Sequence, residues 1–435
     1  MVKNLNIIKR DGSIVKFNKC KIEDAILKAM KYGSGIYEEE IAKKIADEIE
    51  ISCFEKENSP TVYQVENMVY NKLIEYKHEL TAKAYEGYRA VQSFKREVNT
   101  TDDSIIGLLN KTNEEVINEN SNKNGILAST QRDLIAGEVS KDISRRKIIP
   151  AHIVHAHDEG VLHYHDMDYA MQSIHNCMLI NLEDMLQNGT VINNKLVESP
   201  KSFSTACTIV TQIIAQIASG QYGGNTITIR HIAPFLRVSY NKYFNKYKEK
   251  YSEEMAHELA EDRMLEELKS GIQTIRYQLS TLHTSNGQSP FSTIYLEIEQ
   301  GHEYEREMAL ICEEMINQRL EGMKNHKGQQ IGEEFPKLVY LLDEHNCLEG
   351  GKYDYITKLA AKCNTKRLVP DYQSAKIMRR NYEGSTFPPM GCRSHLSPWK
   401  DENGNHKWYG RFNQGVISLN LVQVALTANK DMDKF

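Results

Sequence analysis

Residues 387–399 read FPPMGCRSHLSPW. Two prolines restrict the backbone and a glycine permits a tight turn on one side of a single thiol, Cys392, and Arg393 and Ser394 follow it directly. The other cysteines, at 20, 53, 177, 207, 312, 347 and 363, are scattered, largely on helical faces, with no CxxC among them. A thiol after such a turn is either a buried small side chain or a held, reactive one, and the turn alone leaves both readings open. Downstream, YGRFNQGVISLNL (409–421) reads as a strand opened by Asn413. Far upstream, LHYHDMDYAMQSIHNCMLINL (162–182) gathers His163, His165, Asp166, Asp168, His175 and Cys177. An HxHD cluster suits either a metal site or a hydrogen-bonded turn that positions a substrate; the turn is favoured, and no metal is assigned.

Working outward, apolar runs alternate with long helical stretches from residue 126 onward. HNCMLINL (175–182), FSTIYLEI (291–298), PKLVYLL (336–342) and GVISLNL (415–421) are candidate strands. STACTIVTQIIAQIAS (204–219) is apolar enough for a buried or interface helix, and the charged stretch 241–283 predicts long, partly exposed helices. This alternation fits an α/β fold, either a barrel or an open sheet wrapped by helices.

Residues 1–97 form a separate pattern. IIKRDGSIVKF (7–17) is a hairpin around Asp11-Gly12, and KIEDAILKAMKYG (21–33) is a helix ending at Gly33. Helices are predicted over 37–50, 61–75 and 79–97, and the polar stretch 98–125 is expected to be a linker flanking a short helix. Lys9 and Arg10 in the hairpin and Lys21 at the start of the first helix suit a polyphosphate, because cations and free backbone N–H groups act together there. The plainer reading is a solvated charged hairpin.

The 435 residues suggest two or three units. A net charge of −5 and a pI near 6.3 argue against long contacts with a nucleic-acid backbone. There is no apolar leader and no run of about 20 apolar residues, so a cytoplasmic protein without membrane contact is expected.

The N-terminal segments, together with SPTVYQVENMVYNKLIE (59–75) and AYEGYRAVQSFKR (84–96), resemble the ATP-cone, a regulatory module that senses ATP and dATP. The resemblance implies phosphate contacts from Lys9, Arg10 and Lys21, with Thr61 and Lys95 completing the pocket. The thiol turn, the His/Cys stretch and the Asn413 strand resemble the anaerobic (class III) ribonucleoside-triphosphate reductases. Supporting stretches are ASTQRDLIAGEVSKDISRR (128–146), SGQYGGNTI (219–227), LHTSNGQSPF (282–291) and EEFPKLVY (333–340). That resemblance implies a ten-stranded α/β barrel of the ribonucleotide reductase and glycyl-radical type over 126–435, here incomplete. It implies that Cys392 becomes a thiyl radical that takes the ribose 3′-hydrogen and that Cys177 is its partner across the sugar. Met390 and Asn413 match members that use formate as reductant, and His163 and Ser394 are expected to help place formate or substrate. Gln212, in the region that pairs subunits, is the expected contact for a specificity nucleotide. A radical-SAM activating enzyme and a homodimer are the implied partners, and DNA-precursor synthesis the implied role.

Against the family pattern, no four-cysteine zinc site and no radical-bearing glycine loop is seen after Cys392. The sequence therefore reads as a truncated or split product, expected to be inactive alone. Alternatives are an inert nucleotide-sensing fragment, one half of a split enzyme, or a glycyl-radical lyase. The lyase is disfavoured by the ATP-cone, and a cone-bearing transcription regulator by the lack of a basic DNA-reading segment.

Overall fold

Two short apolar runs on either side of a turn pair as antiparallel strands, β1 (Asn6–Ile8) and β2 (Ile14–Lys16), with Asn6 opposite Lys16 and Ile8 opposite Ile14. A computed structural model describes residues 6–8, 14–54, 59–113, 123–285, 287–391, 394–428 and 431–433, with backbone alone over 88–100. The chain divides into two units, Met1–Ser104 and Ile105–Phe435. No helix among the described residues is long and apolar enough to cross a membrane.

The hairpin is followed by α1 (Cys20–Ala29), α2 (Glu39–Phe54), α3 (Val62–Glu75) and α4 (Glu79–Leu109), of which residues 79–104 belong to the first unit. Each of the first three helices buries one stripe, such as Ile22, Ile26 and Ala29 on α1 and Val65, Val69 and Leu73 on α3. These side chains make one core with Ala82 and Tyr85 of α4. The predicted end at Gly33 is displaced: α1 runs into a π-turn over Met30–Ser34, and Gly35, with φ 72°, makes the left-handed cap. Gly33 serves close packing instead, since a Cβ there would lie 2.2 Å from the Cβ of Ala84. The expected linker is also revised at its start. α4 continues from 98 to Leu109, because no proline interrupts the polar run and Leu108 is buried beyond it.

After α4 the second unit comprises α5 (Ala128–Ile143), α6 (Ala151–Asp158), β3 (Leu162–Tyr164), β4 (Met178–Leu179), α7 (Leu182–Gln187) and the hairpin β5 (Thr190–Ile192) and β6 (Lys195–Val197). There follow α8 (Phe203–Ala218), β7 (Asn225–Thr228), α9 (Ala233–Lys248), α10 (Glu253–Thr281), β8 (Ser292–Leu296) and α11 (Glu305–Glu321). The last part comprises β9 (Met323–Lys324), β10 (Gln330–Ile331), β11 (Lys337–Leu342), α12 (Glu344–Cys347), α13 (Asp354–Arg367), β12 (Asp371–Ser374), α14 (Ala375–Asn381), β13 (Arg411–Phe412), β14 (Ile417–Leu419) and α15 (Leu421–Ala428).

The main sheet runs β12-β11-β8-β7-β4-β13, with the first five strands parallel and β13 antiparallel to β4. Strand periodicity divides its side chains between two faces. Ile227, Ile294, Leu296, Leu338 and Tyr340 join the core built by α8 to α11 and α13. The alternate residues Thr226, Thr228, Thr293, Tyr295 and Val339 occupy the opposite face. The ten-stranded barrel is not what the described residues form: they make this six-stranded sheet with edges at β12 and β13. GVISLNL does not extend it, since β14 pairs instead with β3 in a separate two-stranded ladder.

Candidate active site

Cys177 stands immediately before β4, where three pieces of backbone converge. Its thiol donates to Asn176 Oδ1 at 2.8 Å, and its sulfur accepts the Gly224 N–H at 3.3 Å. Gly224 precedes β7, and a Cβ on it would lie 2.2 Å from the Phe291 ring and 2.9 Å from the Gly391 Cα. Gly391 has φ 55°, and a Cβ there would lie 2.8 Å from the Cys177 sulfur. The glycines are thus what allow the start of β4, the start of β7 and the Pro/Gly turn to touch.

That turn is closed by the Met390 N–H donating to the Ser394 carbonyl at 2.7 Å. Cys392 and Arg393, between these two residues, lie outside the described residues, but the adjoining Gly391 is against Cys177. Met390 is 4% exposed and packs with Leu179, Met378, Phe387, Leu396 and Trp408, against which Cys177 also rests.

Asn413 does not open a strand as expected; it follows β13 and grips the segment before β4 at three points. Its Oδ1 accepts the Cys177 N–H at 2.8 Å, its own N–H donates to the Cys177 carbonyl at 3.0 Å, and its carbonyl accepts the Asn176 N–H at 3.1 Å. From the other side Gln221, 1% exposed, donates through Nε2 to the Asn176 carbonyl at 2.7 Å and the Gly224 carbonyl at 2.8 Å. Cys177 is thereby held by neighbours on both flanks.

His163 lies elsewhere, exposed on β3, with ring centroids 5.0 Å from His157 and 4.3 Å from His165. The HxHD segment is engaged by its neighbours: His165 Nε2 pairs with Ser418 Oγ of β14 at 2.8 Å, and His157 Nδ1 of α6 accepts the Tyr164 N–H at 3.1 Å. Burial, then the neighbouring His163, lowers the pKa of His157, which favours its neutral ring. His163 lines a pocket of about 610 Å³ with Lys123, Asp133, His157 and Asp166. A second pocket of about 620 Å³ shares Tyr164 and Asp166 with it and reaches Tyr222 and Gln414. The Tyr222 hydroxyl donates to the Gln414 carbonyl at 2.7 Å, so this pocket abuts the Asn413 segment.

Of the expected nucleotide contacts in the first unit, Lys9 and Arg10, and the side chain of Lys95, lie outside the described residues. Lys21 is exposed on the first turn of α1. Thr61 is the N-cap of α3 in a capping box with Gln64, and it bridges to Ile8, whose N–H donates to the Pro60 carbonyl at 2.9 Å. The end of β1 therefore meets the N-terminus of α3, where free N–H groups favour an anion. Gln212 is on the exposed polar stripe of α8, whose apolar positions are core.

Asn176, Gln221, Gly223 and Gly224 escaped the residue-level reading. SGQYGGNTI held a usable signal, since paired glycines and amides just before a strand are costly there unless backbone must approach backbone. At Gly223 a Cβ would lie 2.6 Å from the Asn176 carbonyl oxygen.

Comparison with known proteins assigns the chain to a family. A family model described as anaerobic ribonucleoside-triphosphate reductase matches residues 119–435, and one described as ATP cone domain matches residues 5–94. The Escherichia coli anaerobic ribonucleoside-triphosphate reductase is 37% identical over 442 residues, covering 99% of this chain and 60% of that protein. The corresponding reductase of Enterobacteria phage T4 is 39% identical over 334 residues, covering 75% of this chain and 53% of the phage protein. The crystal structure of the Thermotoga maritima anaerobic ribonucleotide reductase with glycerol in its active site shares the fold, with a TM-score of 0.52 at 14% identity, over 79% of this chain and 58% of that one. The chain spans about 60% of the length of the bacterial relatives it matches. With a family model covering most of its length, the chain belongs to the anaerobic ribonucleoside-triphosphate reductase family.

Proposed function

We propose that this chain carries the thiol site of an enzyme that reduces ribonucleoside triphosphates to deoxyribonucleoside triphosphates without oxygen, under ATP and dATP control. The observation that supports this most is the contact between Cys177 and Gly391, the residue that precedes Cys392, across 213 residues of sequence, from 178 to 390. Cys392 is read as the residue that, as a thiyl radical, takes the 3′-hydrogen of the ribose. Cys177 is read as the hydrogen and proton donor for loss of the 2′-hydroxyl. Its bonds to Asn176 and Gly224 orient the S–H, and positional errors of about 1 Å at such a step cost on the order of 100-fold in rate.

Met390 and Asn413 are read as the residues that suit formate as the reductant, with His163 and Ser394 assisting. His163 lines the first of the two pockets, apart from the residues that touch Cys177. In the first unit, the meeting of β1 with the α3 N-terminus fits a nucleotide phosphate held by Lys9, Arg10, Lys21, Thr61 and Lys95. Gln212 is proposed for a specificity nucleotide, and a homodimer and a radical-SAM activating enzyme as partners. The six-stranded sheet would be part of a ten-stranded barrel, and the enzyme would work in the cytoplasm to supply DNA precursors.

The test supplies in trans, or as a fusion, the portion of the Escherichia coli relative not matched by this chain, with activating enzyme, formate and nucleoside triphosphate under anaerobic conditions. Cys392→Ala should abolish both product and isotope exchange at the ribose 3′ position. Cys177→Ala should retain exchange and lose product. Equal exchange in the two variants would remove the division of roles. An ATP-binding chain that yields no product in any combination would favour the nucleotide-sensing alternative.

A further inference from the structure

Strands buried on both faces of a parallel sheet are ordinarily near-continuous apolar runs. β7 and β8 depart from that rule: on the helical side Asn225 and Ser292 satisfy one another, and on the opposite face two threonines look elsewhere for partners. Thr226 and Thr293 are 0% and 1% exposed and stand side by side as register partners, away from the helical layer. Buried hydroxyls destabilise a fold unless they find acceptors. Both find them in the same short segment: Thr226 Oγ1 donates to the Pro389 carbonyl at 2.8 Å, and Thr293 Oγ1 donates to the Gly391 carbonyl at 2.8 Å. The acceptors are two residues apart, and neighbouring strands about 4.8 Å apart lie within the span of two residues of chain, about 6.6 Å.

The same segment has its other contacts fixed independently. Met390 N–H closes the turn onto Ser394, and Gly391 abuts Cys177 and Gly224. The two hydroxyls therefore anchor the carbonyls on either side of Met390, directly before Cys392.

We propose that Thr226 and Thr293 are positioning residues for the thiol site, a paired-hydroxyl anchor that sets the height of the Pro389–Gly391 segment, which precedes Cys392 in the chain, over Cys177. The functional meaning of this anchor rests on reading the two cysteines as the reacting pair. Neither threonine need touch the substrate; each acts through a backbone carbonyl. An aliphatic side chain in either place would fill the sheet face and leave a buried carbonyl without its donor.

The test compares Thr226→Ala and Thr293→Ala with Thr226→Ser and Thr293→Ser in the full 435-residue chain. Alanine removes the hydroxyl without a clash, and serine keeps it. Hydrogen exchange read by mass spectrometry should quicken in the segment 387–396 of each alanine variant by several-fold to about tenfold, the scale of one buried hydrogen bond. Exchange in β11 should stay unchanged, and the serine variants should return the segment to the wild-type rate. Unchanged exchange in 387–396 in both alanine variants, or no recovery with serine, overturns the anchor. If an alanine variant loses protection throughout the chain, the serine variant of the same position decides: wild-type protection of 387–396 sustains the anchor, and selective loss there overturns it.

A separate measurement addresses the cysteines themselves. A short bis-thiol-reactive reagent, with peptide mapping, should bridge Cys177 to Cys392 in the wild type and more slowly in the alanine variants. A wild-type chain that never bridges them, yet shows the exchange pattern above, overturns the two-thiol reading while the anchor stands.

Discussion

Glu297 follows β8 and is 3% exposed, with the Thr228 hydroxyl donating to its Oε1. Burial pushes its carboxyl up to about 7; the Thr228 bond and the Arg230 guanidinium oppose the shift, and Glu299 adds to it. The folded chain thus keeps a proton over a pH range in which the unfolded chain, with an ordinary glutamate near 4.5, has released it. The unfolded state binds fewer protons there, so this group makes stability fall as pH rises from about 4.5 to about 7, with no further loss above. Glu297→Gln keeps the shape and removes the titration. Its stability relative to wild type should therefore improve between about pH 5 and pH 7 and level off above. Denaturant melts at several pH values would show this, and a constant difference across that range would mean the carboxyl titrates normally. The candidate thiol site follows the same logic of satisfied burial. Cys177, Asn176, Asn413 and Gln221 put polar groups where water is scarce, and hydrogen bonds join them.

At the scale of elements, the fold depends on a few glycines that permit backbone or helices to meet. Gly33 is the clearest case, because its missing Cβ lets the π-turn after α1 lie on Ala84 of α4. Gly33→Ala should destabilise the first unit by about 1–3 kcal/mol, the cost of overpacking a close contact. Gly35→Ala has open space around it and strains only a φ of 72°, so about 1 kcal/mol is expected. Thermal melts of the two variants should differ in that order, and an unchanged Gly33→Ala would contradict the packing of this turn against α4. α8 shows how an element divides its work. Its apolar residues, including Phe203, Cys207, Val210 and Ile214, are core, whereas Gln212 and Gln216 form an exposed polar stripe. Burial pushes the Cys207 thiol pKa up and leaves it a packing residue.

At the scale of the whole molecule, the two units have separate cores, one around Ile26, Ile45 and Leu73 and the other around the helical side of the sheet. Calorimetry should accordingly show two unfolding transitions. ATP, proposed to bind the first unit, should raise the transition of that unit alone, by about 2.7 kcal/mol of stabilisation at a hundredfold excess over Kd. Replacing Lys9 and Lys21 together with Ala should abolish most of that shift, because charge-assisted contacts to phosphate dominate such sites. A single transition, or an ATP shift that survives the double substitution, would count against the nucleotide site as drawn.

The sequence by itself determined whatever depends on neighbours in the chain. Helical spacing predicted α1 to α3 to within a few residues, Thr61 was already marked as an N-terminal residue, and the prolines around Cys392 marked a held turn. The order of motifs was enough to suggest the family. Local patterning failed where local preference lost to packing. α4 runs on to Leu109 through the first part of the polar stretch 98–125, and Asn413 is a clamp rather than the start of a strand. Only the tertiary structure decided that Asn176, Cys177, Gly224, Gly391 and Asn413 share one place. Their meeting is fixed by strand register and by missing Cβ atoms, and a glycine that permits close approach reads in sequence like one that makes a turn. For the same reason Thr226 and Thr293 look like ordinary strand residues until the register of β7 and β8 puts their hydroxyls side by side beneath two carbonyls.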